Sequence, residues 1–362
     1  LDVDSDTLIA CLLHDILLPH TGITAEDVEA QFGSEVTALV GGLHNLQVYA
    51  ENTRYSKQDN RDLDKRSLEV IRQAILSIIE GDIRIILVRL ADCLEDLRKA
   101  SNLPKEQKLQ IAGEAMHIYA PLANRLGIWH LKWELEDLAF RYLDPANYRK
   151  IAQKLAVRRT ERTKKVEVAA TKLRKAIVEM GLSAEVTGRS KHIYSIFRKM
   201  RRKDLDFEQI NDIQALRVIL HPRDPESYAQ KNLKEKADED RSLCYQALGI
   251  VHSLWQPIQG EFDDYIATPK PNGYRSLHTA VVDPYTGQKL EVQIRSLRMH
   301  EEAEKGVAAH WAYKESGTKV SASTQRRIQN LRELLTTLQE TEDDTSSREI
   351  LESEVLAERI YA

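Results

Sequence analysis

From Asp6 to about Glu179 the apolar side chains recur every three or four residues, as in LIACLLHDIL, EVIRQAILSII and IRIILVRLADCLEDL, while Pro and Gly fall mostly between these runs. That spacing lines one face of an α-helix, so the first half of the chain is predicted to be helical throughout. A long basic amphipathic helix continues from Leu155 to Met180, and Gly181 ends it. Beyond that glycine the period changes. Runs rich in β-branched residues at Ala184–Thr187, Ile213–Leu220, Thr279–Val282 and Lys289–Arg295 read as strands, with helices between them at Lys191–Lys203, Leu243–Leu254 and His300–Tyr313. The segment Asp224–Arg241 is charged and without a clear period, so it reads as an exposed loop or short helices. From Gly317 onward the chain is polar, with one amphipathic helix around Ile328–Leu338 and an acidic patch at Glu340–Asp344. The expected fold class is α+β: helices first, then a sheet with flanking helices.

At 362 residues and 41.4 kDa the chain has room for two or three domains. The longest apolar runs, such as Ile83–Leu90, are broken by Arg well short of the ~18 residues a membrane span needs, so a soluble protein with no membrane partner is expected. Cys11, Cys93 and Cys244 are odd in number and far apart, which supports neither a disulfide framework nor a thiolate zinc site and suits a reducing cytoplasm. The chain opens on Leu with no signal-peptide pattern, and is expected to be a piece of something longer. The net charge of −4 hides an asymmetry: Arg149–Lys203 holds 18 Lys/Arg against 4 Asp/Glu. Such a segment is either a solvated basic helix or a site for nucleic acid or polyphosphate.

No GxxxxGK[ST] or GxGxxG occurs, so any grip on phosphate must come from side chains. The strand KLEVQIRS shows how: at period two, Leu290, Val292 and Ile294 face one side while Glu291, Gln293 and Arg295 face the other. A second carboxylate, Asp212, opens the strand containing Arg217, and two carboxylates on neighbouring strands can share a magnesium ion. In EFDDYIATPKPNGYRSLH, Pro269, Pro271 and Gly273 set a turn that presents Lys270, Asn272, Tyr274 and His278: two groups for phosphate and a ring for stacking a base. GRSKHIYSIFRKM puts Arg189 and Lys191 at a helix entry, with Ser195 and Lys199 following at i+4 spacings on one face, a good arrangement for polyphosphate.

Taken in order, GRSKHIYSIFRKM, NDIQALRVIL, EFDDYIATPKPNGYRSLHTAV, KLEVQIRS and HEEAEKGVAAHWAYK resemble the successive motifs of the RelA/SpoT homologue family, the long alarmone synthetases. The resemblance runs from about Thr7 to Ala362. It implies an all-helical HD-type domain over residues 1–135, a helical linker over 136–180, a nucleotidyltransferase-like (p)ppGpp synthetase domain over 181–340, and the start of the link to a regulatory region over 341–362. It also implies a pyrophosphokinase that uses magnesium to move the β,γ-pyrophosphate of ATP to the 3′-hydroxyl of GDP or GTP, releasing AMP. Carried over by motif, Asp212 would bind magnesium, and Glu291 would bind it or act as general base. Arg189 and Arg217 would sandwich adenine, while Lys191, Ser195 and Lys199 would lie at the ATP phosphates. Tyr274 would stack on guanine, and Lys270, Asn272 and His278 would bind the acceptor.

The first half resembles the family's HD hydrolase, which uses manganese to remove the 3′-pyrophosphate. His14, Asp15 and Asp92 match its metal-binding positions, with His14 and Asp15 expected on a helix. The active pattern HDxxEDT is here His14-Asp15 followed by ILLPHT, and LADRLHN has become Leu90 to Asp96 with Glu95-Asp96 in place of His-Asn. A degenerate domain is expected. The tetrad Glu261-Phe262-Asp263-Asp264 resembles the acidic ExDD of synthetase-only members, where bifunctional members carry RxKD, and Glu261, Asp263 and Asp264 are expected to tune metal and acceptor use. The final SSREILESEVLAERIYA resembles the join to a TGS domain and a ribosome-binding half, so ribosome and uncharged tRNA are expected partners of the full protein only. Three readings stand side by side: a synthetase with a silent HD domain, a bifunctional enzyme, and a nucleotide- or RNA-binding regulator without turnover.

Overall fold

The structure, a computed structural model, describes residues 3–55, 82–157, 159–207, 210, 214–270, 273–287 and 289–305. It divides into two compact units, one ending at Leu135 and one beginning at Glu136.

The described part of the first unit is helical. Its helices are α1 (Ser5–Leu12), α2 (Ala25–Tyr55), α3 (Arg84–Lys99), α4 (Lys105–Glu114) and α5 (Ala120–Arg125), followed by α6 (Trp129–Leu143), whose first half belongs here. Gly33, at φ +84°, breaks α2 into two pieces. The predicted periodicity buries one stripe per helix, including Ala10, Val36, Leu39, Val40, Leu87, Leu90 and Leu97. Arg84 sits among them almost wholly buried. It is tolerable there because Asp82, Glu35 and Asp4 surround its guanidinium, at 2.5, 2.6 and 3.3 Å, tying three segments together.

In the second unit α7 (Pro145–Val157) and α8 (Arg159–Glu179) lead into a sheet. Gly181, at φ +70°, ends α8 as its position predicts, and Leu182 N donates back to Ile177 O at 3.1 Å. The strands are β1 (Ser183–Ser190), β2 (Gln214–His221), β3 (Gln256–Asp264), β4 (Leu277–Val282) and β5 (Lys289–Ser296), in the order β1-β2-β5-β4-β3. Of the four strand pairs among the described residues, β2–β5 is parallel and the other three are antiparallel. The helices between and after them are α9 (Ile193–Lys203), α10 (Pro225–Gln230), α11 (Leu233–Leu254) and α12 (Leu297–Lys305). One sheet face is apolar: Val186, Leu216, Val218, Leu220, Leu277, Val281, Leu290, Val292 and Ile294 meet Ala170, Leu173 and Ile177 of α8 and Leu243, Ala247 and Val251 of α11. Thus α8, basic on its outside, supplies the cover of the sheet rather than a free connector. Thr279 is buried on this face, and its hydroxyl lies 2.9 Å from His252 Nε2 of α11.

Two elements refine the sequence reading. Of the two alternatives for Asp224–Arg241, loop or short helices, the chain takes the helical one: the short α10 and the first turns of the longer α11, which a capping box between Asn232 and Glu235 starts. Its early turns are solvated, so no apolar period marks them. Strand β3 escapes the pattern because it is an exposed edge with Pro257, a register shift, and Gly260 at φ +78°. The expected helix around Ile328–Leu338 lies outside the described residues, and α12 begins at Leu297 rather than His300.

Leu216 has no exposed surface and sits on β2, an interior strand of the sheet. Leu216→Ala is expected to lower stability by about 2–4 kcal/mol through lost burial and a residual cavity, measured by urea denaturation.

Candidate active site on the polar face of the sheet

The register gathers the chemistry. Cross-strand partners share a face, so Thr187, Arg217, Gln293, His278 and Asp263 form one row running across all five strands. The next row holds Arg189, Ala215, Glu291 and Ala280. This is the polar side that the alternation in KLEVQIRS predicts. Gln293 and Arg295 are nonetheless almost fully buried, so this face is a cleft floor rather than a solvated surface.

Glu291 stands at its centre. Gln293 Nε2 donates to Glu291 Oε1 at 2.7 Å, Lys191 Nζ lies 3.7 Å from Oε2, and His278 Nδ1 lies 3.7 Å from Oε1. Arg189 Nη1 donates to Gln293 Oε1, fixing the amide so that its NH2 turns to Glu291. Arg217 and Arg295 both lean on Glu304 of α12, at 3.6 and 2.8 Å. The Nε of each is buried without a hydrogen-bond partner among the described residues. Burial, then its neighbours Arg295 and Arg189, pulls Arg217 down to about 10, and burial likewise lowers Arg189. Three guanidiniums and Lys191 face two carboxylates here, and such a cluster is eased by an anion.

On the β4 side, Tyr274 is only 9% exposed and its hydroxyl lies 2.9 Å from His278 Nε2. Its ring stands edge-on to Tyr265 and to His278, and Lys270 Nζ lies 4.5 Å from the centre of the Tyr265 ring. The sequence reading offered Tyr274 as a ring for stacking a base; the folded chain joins it in an aromatic corner with Tyr265, which that reading did not single out. The turn closes where Gly273 N donates to Lys270 O at 2.7 Å, with Gly273 at φ +77°. Asp212 and Asn272 lie outside the described residues.

Two expectations change. Lys191 precedes α9, so the i+4 helical spacing holds only between Ser195 and Lys199. The helix entry is also not open to phosphate at its first turn, because Asp137 of α6 accepts from Ile193 N and Tyr194 N at 3.2 and 2.8 Å. Within the acidic tetrad, Asp264 is spent on structure: it accepts from Ile266 N, Ala267 N and the Tyr245 hydroxyl. Asp263 instead shares the row of Gln293 and His278, and burial raises its carboxyl above the usual range. Glu261 lies exposed on the edge strand.

In the helical unit, α1 ends at Leu12, so His14 and Asp15 lie in turns after it and not on a helix. The chain turns because Thr21 Oγ1 donates to Ile16 O and Leu18 O. His14 Nε2 still lies 3.3 Å from Asp15 and 3.7 Å from Asp92. The guanidinium of Arg89, also facing the Tyr119 hydroxyl at 3.3 Å, is paired with Asp92 and neutralises it. Glu95 pairs with Lys99 at 2.9 Å. Among the described residues no three His, Cys, Asp or Glu side chains gather as a metal-holding group.

Residues 188–318 match the region found in RelA / SpoT proteins, and residues 1–129 match an HD domain. The chain belongs to the RelA/SpoT family. It is 38% identical over 361 residues to a GTP pyrophosphokinase of Myxococcus xanthus and 39% identical over 365 residues to a GTP pyrophosphokinase of Escherichia coli, in each case over 100% of this chain. It is 40% identical, over 99% of its length, to a protein of Synechocystis named a probable guanosine-3′,5′-bis(diphosphate) 3′-pyrophosphohydrolase. The chain spans 44–46% of the length of these curated relatives. No helix among the described residues is long and apolar enough to cross a membrane.

Burial, reinforced by Lys270, Arg189, Arg295 and Lys191, drives His278 well below its ordinary 6.5. His252 and His300 are lowered too, the latter to about 4. The unfolded chain therefore takes up protons below about pH 6.5 that the folded chain refuses, and stability is expected to fall as pH drops through that value. His278→Asn should flatten this slope by up to one proton, ~1.4 kcal/mol per pH unit, in urea denaturation at pH 7, 6 and 5.

Proposed function

We propose that the second unit transfers the β,γ-pyrophosphate of ATP to the ribose 3′-hydroxyl of GDP or GTP, yielding AMP and ppGpp or pppGpp. The observation that carries this reading is Glu291, held within reach of Lys191, Gln293 and His278 on a face lined by Arg189, Arg217 and Arg295. In the transfer, the 3′-oxygen attacks the β-phosphorus, the bond to the α-phosphate oxygen breaks, and the hydroxyl proton leaves to a base. Glu291 would orient that hydroxyl or accept its proton, and the cations would offset charge on the moving group. Arg189 and Arg217 would flank adenine, with Lys191, Ser195 and Lys199 toward the phosphates. Lys270, Asn272, Tyr274 and His278 would receive the acceptor, and Glu261 and Asp263 would tune acceptor choice.

Magnesium takes hard oxygen ligands and leaves the rest of its shell to phosphates. Glu291 offers such oxygens, and Asp212 stands three positions before Ala215, the strand partner of Glu291, so these two carboxylates would hold the ion. When bound it would neutralise the transferring phosphates. Any contact with ribosome or uncharged tRNA would be made through parts of the whole protein beyond this chain.

The HD domain match and the Synechocystis relative favour a second reading, a bifunctional synthetase and hydrolase. Arg89 on Asp92, and Glu95-Asp96 in place of the family's His-Asn, argue against it: a carboxylate already paired to a guanidinium does not suit a manganese ion. The silent domain is the preferred reading.

Incubation with ATP, GDP or GTP, and Mg2+ is expected to give AMP and the 3′-pyrophosphorylated product. Glu291→Gln should lower kcat by about 10²-fold or more with thermal melting unchanged. Absence of any transfer by the wild-type chain would exclude the synthetase, and release of pyrophosphate from ppGpp with Mn2+ would restore the bifunctional reading.

A further inference from the structure

The motif HEEAEK has no place in the transfer as described, yet it forms most of α12, directly after the strand carrying Glu291. We propose that α12 holds the two nucleotide subsites independently, through Glu304 on the donor side and Glu302 on the acceptor side; this rests on the pyrophosphate-transfer reading.

Glu304 Oε1 accepts from Arg295 Nη2 at 2.8 Å and lies 3.6 Å from Arg217 Nη1. Burial alone would raise its carboxyl, but Arg295 and Arg217 outweigh burial and hold it below the usual range. Arg217 and Arg295 are like charges on neighbouring strands, and the carboxylate between them lets both stay. Without it Arg217, whose Nε has no partner among the described residues, turns away from its companion and loses the plane it presents to the donor base.

Glu302 faces the other way. Its Oε2 accepts from Arg275 Nη2 at 3.3 Å and its Oε1 from Arg298 Nη1 at 2.9 Å. Arg275 directly follows Tyr274, and the next residue, Ser276, is tied by its hydroxyl to Ile294 O of β5 at 3.0 Å. Arg298 is itself oriented, since its Nε donates to the buried Asp240 of α11 at 2.7 Å. The acceptor corner is thus braced through Glu302 to α11, whereas the donor arginine is braced through Glu304 to Arg295 of β5. Met299 and Ala303, both buried, keep the helix from rolling to exchange these roles. Glu302 and Glu304 are positioning residues: each acts through an arginine.

The test uses the 362-residue chain with Mg2+, varying ATP at saturating GDP and GDP at saturating ATP. Glu304→Gln is expected to raise KM for ATP about tenfold and leave KM for GDP within about twofold, and Glu302→Gln to do the reverse. Arg275→Gln should reproduce Glu302→Gln, and the double variant should be no worse than either alone. The same split is read without turnover, as loss of the melting shift given by ATP in one variant and by GDP in the other. Both constants rising together in either variant, or neither moving, overturns the inference. If the wild-type chain transfers no pyrophosphate, the proposed function falls and the nucleotide-specific melting shifts alone decide the roles of the two glutamates.

Discussion

The parallel pairing of β2 with β5 constrains everything else in the second unit. Because side chains alternate across a strand, one register decides two things at once: Leu216, Val218, Leu290, Val292 and Ile294 enter the core, and Arg217, Glu291, Gln293 and Arg295 come together on the opposite face. A slip of one residue would bury the charges under α8 and α11 and expose the aliphatic set. The free energy of burying the apolar face therefore also decides which side chains line the cleft.

That floor is built at an electrostatic cost. Arg189, Arg217 and Arg295 are largely removed from water and near one another, and burial together with mutual repulsion weakens two of them as bases. The arrangement persists because the carboxylates are placed between the cations: Glu304 between Arg217 and Arg295, Glu291 against Lys191. The Nε atoms of Arg217 and Arg295 have no hydrogen-bond partner among the described residues. An excess of positive charge of this kind would be relieved by an anion.

The helical unit handles charge in the opposite way. Arg84 is enclosed by Asp4, Glu35 and Asp82, and Asp92 is answered by Arg89, so the buried charges there are matched within the unit itself. The sheet unit instead carries an excess of cations over the carboxylates that face them. The same residue types, carboxylate and guanidinium, thus behave differently in the two units according to whether they neutralise each other.

Much of this was legible in the chain. Periodicity marked the helices and four of five strands, and the alternation in KLEVQIRS assigned Glu291 and Gln293 to one face before any fold was known. What has no internal alternation was not legible: β3, an edge strand with little burial, and the solvated start of α11, whose only cue was Asn232 three residues before Glu235. Local pattern also named Lys191 and Tyr274 but not their partners. The cap that Asp137 places on α9, the commitment of Asp264 to its own turn, the corner of Tyr265 with Tyr274, and the division between Glu302 and Glu304 all join residues distant in sequence or turn on a side chain's direction. The sequence by itself determined which residues face core or cleft, because that follows from a period of two or of 3.6; only the tertiary structure decided which charges meet, because contact between separate elements is set by packing and leaves no period along the chain.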